Sequence, residues 1–352
     1  MENVVPSTVN AEQVAPNPAN ILQVGLGFWA SKTFLAAAKL QLFTLVAPKP
    51  LSVEEIRQKL NLHGQGLQDW LDALTSLGFL QRQGTGAAAT YGNAPETAFF
   101  MDKNQPFYIG GFFEMANDRE YRFWADLEEG LRTGKPQNEI KTTGLESFRA
   151  IYQDEDNARQ FTEAMTGIQL GSFMSFSQKY DFSRHQQMVD VGGSGGTLSA
   201  VVAQAHPHMR AISLDLPHVE KLAKETTQRF GVADRVKIQS GDFFAEPLPK
   251  ADLVTMGNIL HSFDMEKKQQ LLRKAYEALP EGGVLAVIEL IMDNERRHNT
   301  FALLMSLNML IESDGGFNYT QADLSQWSRE AGFRSVEFVS LDGPVTAAII
   351  RK

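Results

Sequence analysis

The stretch that decides the fold is Met188-Val189-Asp190-Val191-Gly192-Gly193-Ser194-Gly195-Gly196-Thr197. An apolar strand carries an acidic residue near its end and runs into a glycine-rich turn, and helix-compatible residues follow at 198–205. This order is typical of the opening of a βαβ unit, in which glycines let a ligand approach the backbone closely. Because ligands of such sheets bind at the carboxyl ends of the strands, we expect the binding site at this turn.

The residues around the turn favour one kind of ligand. The next strand, 211–215, also ends in an acid, Asp215, where a ribose-binding carboxylate would lie. A dinucleotide pattern requires a glycine where this chain has Leu198, and no Lys followed by Ser or Thr completes a phosphate-binding loop. S-adenosylmethionine fits better, since its amino group and hydroxyls need carboxylate acceptors such as Asp190 and Asp215. On these residues alone, any α/β domain with a tight glycine turn remains an alternative.

Composition limits the class of protein. The 352 residues are enough for two domains, and 43% hydrophobic with 21% charged residues is typical of a globular chain. We expect a cytoplasmic protein, because no secretory pattern is visible and no apolar run approaches the roughly 18 residues of a membrane span. The net charge of −9 argues against a general nucleic-acid binder. The absence of cysteine excludes disulfides and thiolate metal sites, and we expect no metal centre.

The N-terminal half is predicted to be mostly helical. We expect a flexible tail at 1–20 and one helical unit at 21–180. Residues 21–46 are apolar over more of the helix surface than one core face needs, which favours a subunit interface, with a plain core helix as the alternative. From 107 to 180 the chain is rich in aromatic and Met residues, among them Met115, Phe161 and Met165. Most of these will pack in the core, but such a surplus also suits an adaptable apolar substrate site.

Residues 50–91 predict a winged helix. Ser52 and Glu55 form a capping box that opens a helix to residue 60, a second helix runs to residue 77, and a glycine-containing hairpin follows. Such modules often bind DNA through the second helix, which would make the chain a ligand-sensing regulator. However, residues 60–81 contain no Lys or Arg, and Asp69 and Asp72 would repel the duplex. We therefore expect no nucleic-acid partner.

Residues 181–352 are predicted to form the second domain. Strands at 236–240, 251–256 and 284–290 alternate with helices, and strands at 335–340 and 345–350 close the chain. The four residues between the last two strands are too few for a crossover, so that pair must be an antiparallel hairpin. A parallel sheet with such a hairpin is the topology of class I methyltransferases.

One histidine stands out by its position. His261 follows the strand at 251–256 and precedes the helix at 265, so it lies at the carboxyl edge beside the glycine turn. An imidazole there could take a proton from a phenol or another acidic hydroxyl. Glu289, at the end of the following strand, could accept a hydrogen bond from the ring and fix its orientation. A helix-capping or surface histidine and a solvated strand-end glutamate are the alternatives.

The sequence resembles the S-adenosylmethionine-dependent O-methyltransferases of the caffeate and acetylserotonin type, including bacterial members that tailor natural products. The resemblance runs from about residue 21 to the C-terminus. These motifs carry it: Asp190-Val-Gly-Gly-Ser-Gly-Gly, Asp215-Leu-Pro-His-Val, Gly241-Asp242-Phe243-Phe244, Ile259-Leu260-His261, Glu281-Gly282-Gly283 and Ala331-Gly332-Phe333. It implies a Rossmann-like methyltransferase sheet, and an N-terminal winged-helix domain used for homodimerisation.

The resemblance also implies roles for individual residues. His261 matches the general base, Asp215 the ribose ligand, and Asp242 and Phe243 the adenine frame. The cofactor-binding set expected in this way is Tyr152, Asp190, Gly192, Gly193, Asp215, Leu216, Gly241, Asp242, Phe243 and Asn258. The substrate-binding set is Met115, Phe161, Met165, Met305 and Met309, the last two on a helix that closes the pocket. The acceptor is expected to be a small aromatic or conjugated molecule.

Two departures from the family weaken the support of the base. His261-Ser262-Phe263 replaces a frequent His-Asp-Trp, and Asn318 stands where plant members carry a second Glu near the base. Asn318 can still accept a hydrogen bond from the imidazole, but it contributes no charge. N-methylation, C-methylation and a non-methylating use of the same cofactor therefore remain open beside O-methylation.

Overall fold

The computed structural model describes residues 16–145, 148, 151–152 and 155–352. The predicted flexible tail therefore lies outside the described residues up to residue 15. The helices are α1 (Ala19–Gly25), α2 (Gly27–Lys39), α3 (Leu42–Val46), α4 (Val53–Lys59), α5 (Leu67–Ser76), α6 (Pro95–Phe100), α7 (Gly110–Asp118), α8 (Glu120–Phe123), α9 (Leu127–Thr133), α10 (Ile140–Thr143), α11 (Glu155–Lys179), α12 (Thr197–Ala205), α13 (Glu220–Arg229), α14 (Met265–Ala278), α15 (Thr300–Glu312) and α16 (Gln321–Glu330). The strands are β1 (Leu51–Ser52), β2 (Leu80–Gln83), β3 (Thr90–Asn93), β4 (Gln187–Val191), β5 (Arg210–Asp215), β6 (Val236–Ser240), β7 (Leu253–Gly257), β8 (Val284–Glu289), β9 (Ser335–Ser340) and β10 (Thr346–Arg351).

The first two helices leave much of their apolar surface uncovered. Ile21, Val24 and Trp29 are 73%, 74% and 61% exposed. Residues 19–39 are long and apolar enough to cross a membrane by length and composition alone, with a mean hydropathy of 1.2. The segment is not an uninterrupted apolar run, because Asn20, Gln23 and Lys32 lie within it, and it is not a clear membrane span. Lys32 donates to Asn117 at 2.6 Å, which ties this segment to α7.

Residues 51–93 form the two expected helices and the expected hairpin, and β1 adds a third antiparallel strand, so that the order is β1, β3, β2. Both halves of the predicted capping box are present, because Glu55 N–H donates to Ser52 and the Glu55 carboxylate accepts from Ser52 N–H. Asp72, on the second helix, accepts hydrogen bonds from Arg82 and from buried Tyr91, both at 2.8 Å. This acidic side chain therefore joins the helix to the hairpin.

The C-terminal half contains a seven-stranded sheet in the order β6, β5, β4, β7, β8, β10, β9. The first five of these strands are parallel, and β10 is antiparallel to both β8 and β9. This confirms the predicted hairpin and the class I methyltransferase sheet. Apolar clusters cover both faces, so the strands are buried runs of Val, Ile, Leu and Ala. The parallel arrangement brings the ends of β4, β5, β7 and β8 to one edge.

The long helix α11 connects the two halves. It contacts α7 on one side and α12, the helix after the glycine turn, on the other. The turn is thereby faced by a helix that precedes the sheet in the chain. The division into units at 21–180 and 181–352 stays a prediction.

We expect Ser52→Ala to destabilise the N-terminal domain by about 1 kcal/mol, because the backbone N–H of Glu55 loses its acceptor. Ser52→Thr, which keeps the hydroxyl, is the matched control and should cost less. Urea unfolding followed by tryptophan fluorescence measures both. Equal stability of Ser52→Ala and the unaltered chain would contradict the capping role.

Candidate active site

The carboxylate of Asp215 anchors the glycine turn to the end of β5. Its Oδ2 accepts the backbone N–H of Ser194 at 2.8 Å, and its Oδ1 accepts that of Leu216 at 2.6 Å. Burial raises the pKa of Asp215, while the two backbone N–H groups oppose this shift. Each oxygen retains a further lone pair, so the group can also accept hydrogen bonds from a vicinal diol.

Asp190 lies at the end of β4 and is 2% exposed. Thr255 donates to one carboxylate oxygen at 2.8 Å and Ser199 to the other at 3.3 Å. Burial raises the pKa of Asp190 to about 7, against the effect of both hydroxyls. A cation in the adjoining cavity would be stabilised by the ionised form of this group.

The glycines of the turn are required by close packing. Gly192 has a φ of +70°, and a Cβ there would lie 2.2 Å from Ile259 Cδ1. A Cβ on Gly193 would lie 2.2 Å from Ser213 Oγ and 3.0 Å from Asp190 Oδ2. At these two positions the turn can lie against Ile259 and Ser213 only without side chains, and its backbone is left open to a ligand.

One cavity begins at this turn and extends into an apolar region. Asp190, Asp215 and Asp242, which are all in the predicted cofactor-binding set, line it. The other predicted cofactor residues on its wall are Tyr152, Gly192, Gly193, Leu216 and Phe243. Gly241 and Asn258 are not among the described lining residues. Gly241 donates its N–H to Asp215 O at 2.9 Å, and Asn258, with a φ of +56°, donates to Ile288 O at 3.0 Å.

The far part of the cavity is lined by aromatic and sulfur-containing side chains. Phe161 and Met165, both on α11, line it. Met115, Met305 and Met309 do not appear among its described lining residues. Met115 is 2% exposed on α7, and Met305 packs against the cluster around Leu290. The roles of these three side chains in substrate binding stay predictions.

His261 lies in a 3-10 turn, Leu260–Ser262, at the predicted edge of the sheet. Its neighbours Ile259, Ser262 and Phe263 line the cavity, whereas His261 itself is 7% exposed and is not among the lining residues. Burial lowers the pKa of His261, Glu289 raises it, and Lys268 lowers it further. The lowered pKa favours the neutral imidazole, which is the form that can accept a proton.

Glu289 and Asn318 lie beside this turn but make other hydrogen bonds. Glu289 Oε1 accepts the backbone N–H of His261 at 3.3 Å, and Oε2 accepts the hydroxyl of Tyr319 at 2.6 Å. Asn318 Nδ2 donates to Leu290 O at 2.7 Å. Glu289 thus contacts His261 through the main chain, and its predicted role in orienting the ring remains a prediction.

Several residues of the site were missed by the sequence reading. The lining also includes Phe148, Thr166, Gln169, Phe173, Phe263 and Lys267. Thr166 could have been found, because it follows Met165 on the same predicted helix and donates to or accepts from Thr197 at 3.0 Å. Nothing in the sequence indicated that Lys268 is buried, because a Lys in an amphipathic helix ordinarily faces solvent. In the structure it is 0% exposed.

These residues fit S-adenosylmethionine. The glycine turn provides backbone that a Cβ would obstruct, Asp215 offers free lone pairs to ribose hydroxyls, and Asp190 offers a buried carboxylate to a cation. No group of His, Asp and Glu suited to hold a metal ion occurs among the residues that the structure describes.

Comparison with known proteins gives the same assignment. A family model described as an O-methyltransferase domain matches residues 124–334, and one described as an O-methyltransferase dimerisation domain matches residues 22–103. The chain is 38% identical to the tetracenomycin polyketide synthesis 8-O-methyl transferase TcmO of Streptomyces glaucescens, over 95% of this chain and 97% of that protein. It is 30% identical to the N,N-dimethyltransferase OxyT of Streptomyces rimosus, over 90% of each.

The fold agrees over nearly the whole chain. The crystal structure of human N-acetylserotonin methyltransferase in complex with S-adenosylmethionine superposes with a TM-score of 0.88 at 29% identity, covering 96% of this chain and 99% of that one. With the family domain spanning residues 124–334 and the dimerisation domain spanning residues 22–103, the chain belongs to the S-adenosylmethionine-dependent O-methyltransferase family.

Proposed function

We propose that the enzyme methylates a hydroxyl oxygen of a small aromatic or conjugated compound, in the tailoring of a natural product. One observation carries the proposal: the cavity that begins at Asp190 and Asp215 continues without a break to Phe161 and Met165. Carboxylates bind the polar cofactor at one end, and planar apolar side chains suit a flat acceptor at the other. TcmO, by its name an 8-O-methyl transferase of polyketide synthesis, supports this acceptor class.

The chain's own residues act mainly by alignment. S-adenosylmethionine supplies a reactive sulfonium methyl group when bound. Asp215 and the glycine turn fix its position, and Phe161 and Met165 orient the acceptor. The methyl group and the acceptor oxygen are thereby held in line with each other. Such alignment can be equivalent to about 10⁵ to 10⁸ M of effective concentration, whereas a general base typically raises the rate by a factor of about 10² to 10⁴. His261 is the proposed base.

N-methylation is the second candidate, because OxyT, an N,N-dimethyltransferase, is similar over 90% of the chain. C-methylation and a non-methylating reaction are less supported. A panel of naphthols, aromatic amines and natural-product phenols, incubated with isotope-labelled S-adenosylmethionine, separates these outcomes. We expect an O-methyl product and S-adenosylhomocysteine in equal amounts, measured by mass spectrometry and NMR. An N-methyl or C-methyl product, or none with any acceptor, would contradict the proposal.

We expect His261→Ala to lower turnover of 2-naphthol about 100-fold, at the low end of the range for a general base. Affinity for S-adenosylhomocysteine, measured by calorimetry, should stay within about twofold because His261 is not among the described residues that line the cavity. An equal loss of cofactor affinity would show that His261 is structural.

We further propose that the protein is a cytoplasmic homodimer that does not bind nucleic acid. The uncovered side chains of α1 and α2 lie within or beside the matched dimerisation domain, so a second copy of the chain can cover them. The acidic helix α5 disfavours DNA binding, because its carboxylates repel phosphates. Salt-dependent DNA binding would contradict the proposal that the protein does not bind nucleic acid.

Trp29→Asp should raise the dissociation constant of the dimer at least tenfold, because a charge would replace an aromatic contact. Phe301→Asp is the control. Phe301 is 54% exposed, against 61% for Trp29, but it lies outside residues 22–103. Analytical ultracentrifugation over a range of concentrations measures both. A monomeric unaltered chain, or equal effects of the two substitutions, would contradict the assignment.

A further inference from the structure

We propose that Arg119 is a positioning residue for the methyl acceptor, because its guanidinium holds together two segments that form walls of the cavity. Arg119 is not among the described lining residues, so it acts through the carboxylates of Glu139 and Glu312. The inference rests on the proposed function, since it concerns acceptor binding in the same cavity.

Two walls of the cavity come from segments outside the sheet. The segment 140–145 contributes Ile140, Gly144 and Leu145, and the segment that follows α15 contributes Ser313 and Asp314. Neither segment contains a residue of the predicted cofactor-binding set. The helix α15 also carries two residues of the predicted substrate-binding set. We therefore expect these two walls to bound the space that is left for the acceptor.

Arg119 lies between α7 and α8 and connects the two walls at the residues that precede them. Its Nε donates to Glu139 Oε1 at 2.6 Å, and its Nη2 donates to Glu139 Oε2 at 2.7 Å, so this pair is bidentate. Nη2 also donates to Glu312 Oε2 at 3.2 Å. Glu139 immediately precedes Ile140, and Glu312 immediately precedes Ser313. One guanidinium thus fixes the start of both walls.

This arrangement is stronger than an ordinary surface ion pair. The side chains of Arg119 and Glu312 are only 18% and 13% exposed, and that of Glu139 is 33% exposed. Burial alone would raise the pKa of Glu139, but the hydrogen bonds and charge of Arg119 outweigh it and lower that pKa. Bidentate, charge-assisted hydrogen bonds from an Arg also fix geometry, which suits a residue that positions others.

The carboxylates around Arg119 would repel one another without it. Burial raises the pKa of Glu120 to about 7, the charge of Glu312 acts in the same direction, and Arg119 opposes both. Burial also raises the pKa of Glu312, where Arg119 again opposes the shift and Glu139 adds to it. Like charges in a partly buried cluster disfavour the ionised forms. Loss of the guanidinium should therefore push the two walls apart.

Uncharged hydrogen bonds also attach the two segments to each other. The backbone N–H of Gln137 donates to Ile311 O at 2.9 Å, and Asn138 Nδ2 donates to Glu312 O at 2.8 Å. These contacts do not involve Arg119. We therefore expect replacement of Arg119 to displace the walls of the cavity and to leave the chain folded.

The first test compares Arg119→Met with the unaltered full chain, using S-adenosylmethionine and 2-naphthol. We expect KM for 2-naphthol to rise about tenfold and kcat to fall less than about threefold, because the acceptor walls move while Asp215 still holds the glycine turn. Affinity for S-adenosylhomocysteine, measured by calorimetry, should stay within about twofold. An unchanged KM, or a loss of cofactor affinity as large as the rise in KM, would overturn the inference.

Arg57→Met is the matched control. Arg57 forms a bidentate pair with Glu54 on α4, with both hydrogen bonds at 2.7 Å. Neither residue is among the described lining residues. We expect this variant to keep the KM of the unaltered chain, and a rise equal to that of Arg119→Met would contradict a specific role of Arg119.

A second substitution separates positioning of the walls from a general loss of structure. Glu139→Gln, added to Arg119→Met, removes the charge that repels Glu312, so KM should recover about threefold or more. Arg119→Lys keeps the charge without the planar fork and should raise KM by about threefold, which also provides the measurement if Arg119→Met does not fold. A double variant with a higher KM than Arg119→Met, or an unchanged KM for Arg119→Lys, would contradict the proposal.

Hydrogen–deuterium exchange tests the connection without any acceptor. In Arg119→Met, and to a smaller extent in Arg119→Lys, residues 137–145 and 312–318 should exchange at least about threefold faster, while β4 and β5 stay unchanged. Unchanged exchange in both segments would overturn the inference. If the unaltered chain methylates no naphthol and no other phenol, the proposed function has failed, and the exchange rates still decide whether Arg119 holds the two walls together.

Discussion

The site depends on the carboxylate of Asp215, which accepts two backbone N–H groups from different segments. One belongs to the glycine turn after β4 and the other to the residue after β5, so a single side chain joins the ends of two adjacent strands. Gly192 and Gly193 make this approach possible, because side chains there would collide with Ile259 and Ser213. Charge-assisted hydrogen bonds are stronger than neutral ones, and they keep the turn in the geometry that exposes its backbone.

Buried charge has a second role around His261. Glu289 accepts the N–H at the start of the turn and Lys268 donates to the carbonyl at its end, so opposite charges fix both sides of one short segment. Burying two ions costs free energy that only good geometry offsets, and here each ion makes a hydrogen bond to the main chain of this segment. Stacking of Lys268 on Phe317 extends this network to the loop after α15.

Local patterns made most of the fold predictable. The capping box at Ser52, the glycine turn after β4 and the terminal hairpin depend on neighbours in sequence, and the structure confirms each of them. Contacts between segments that are distant in sequence could not be predicted from local patterns. Glu289 was correctly placed at the edge of the sheet, but which hydrogen bond it makes depends on the turn of residues 260–262 and on Tyr319. The burial of Lys268 depends on the loop at 315–319, which no periodicity in α14 reveals.

The order of strands has a consequence for aggregation. Strand β10, formed by residues 346–351, lies between β8 and β9 and pairs with both. Until β10 pairs with it, β8 keeps an unpaired backbone edge, which is a template for association with other chains. Any displacement of β10 would therefore expose two strand edges at once, those of β8 and β9, and favour aggregation.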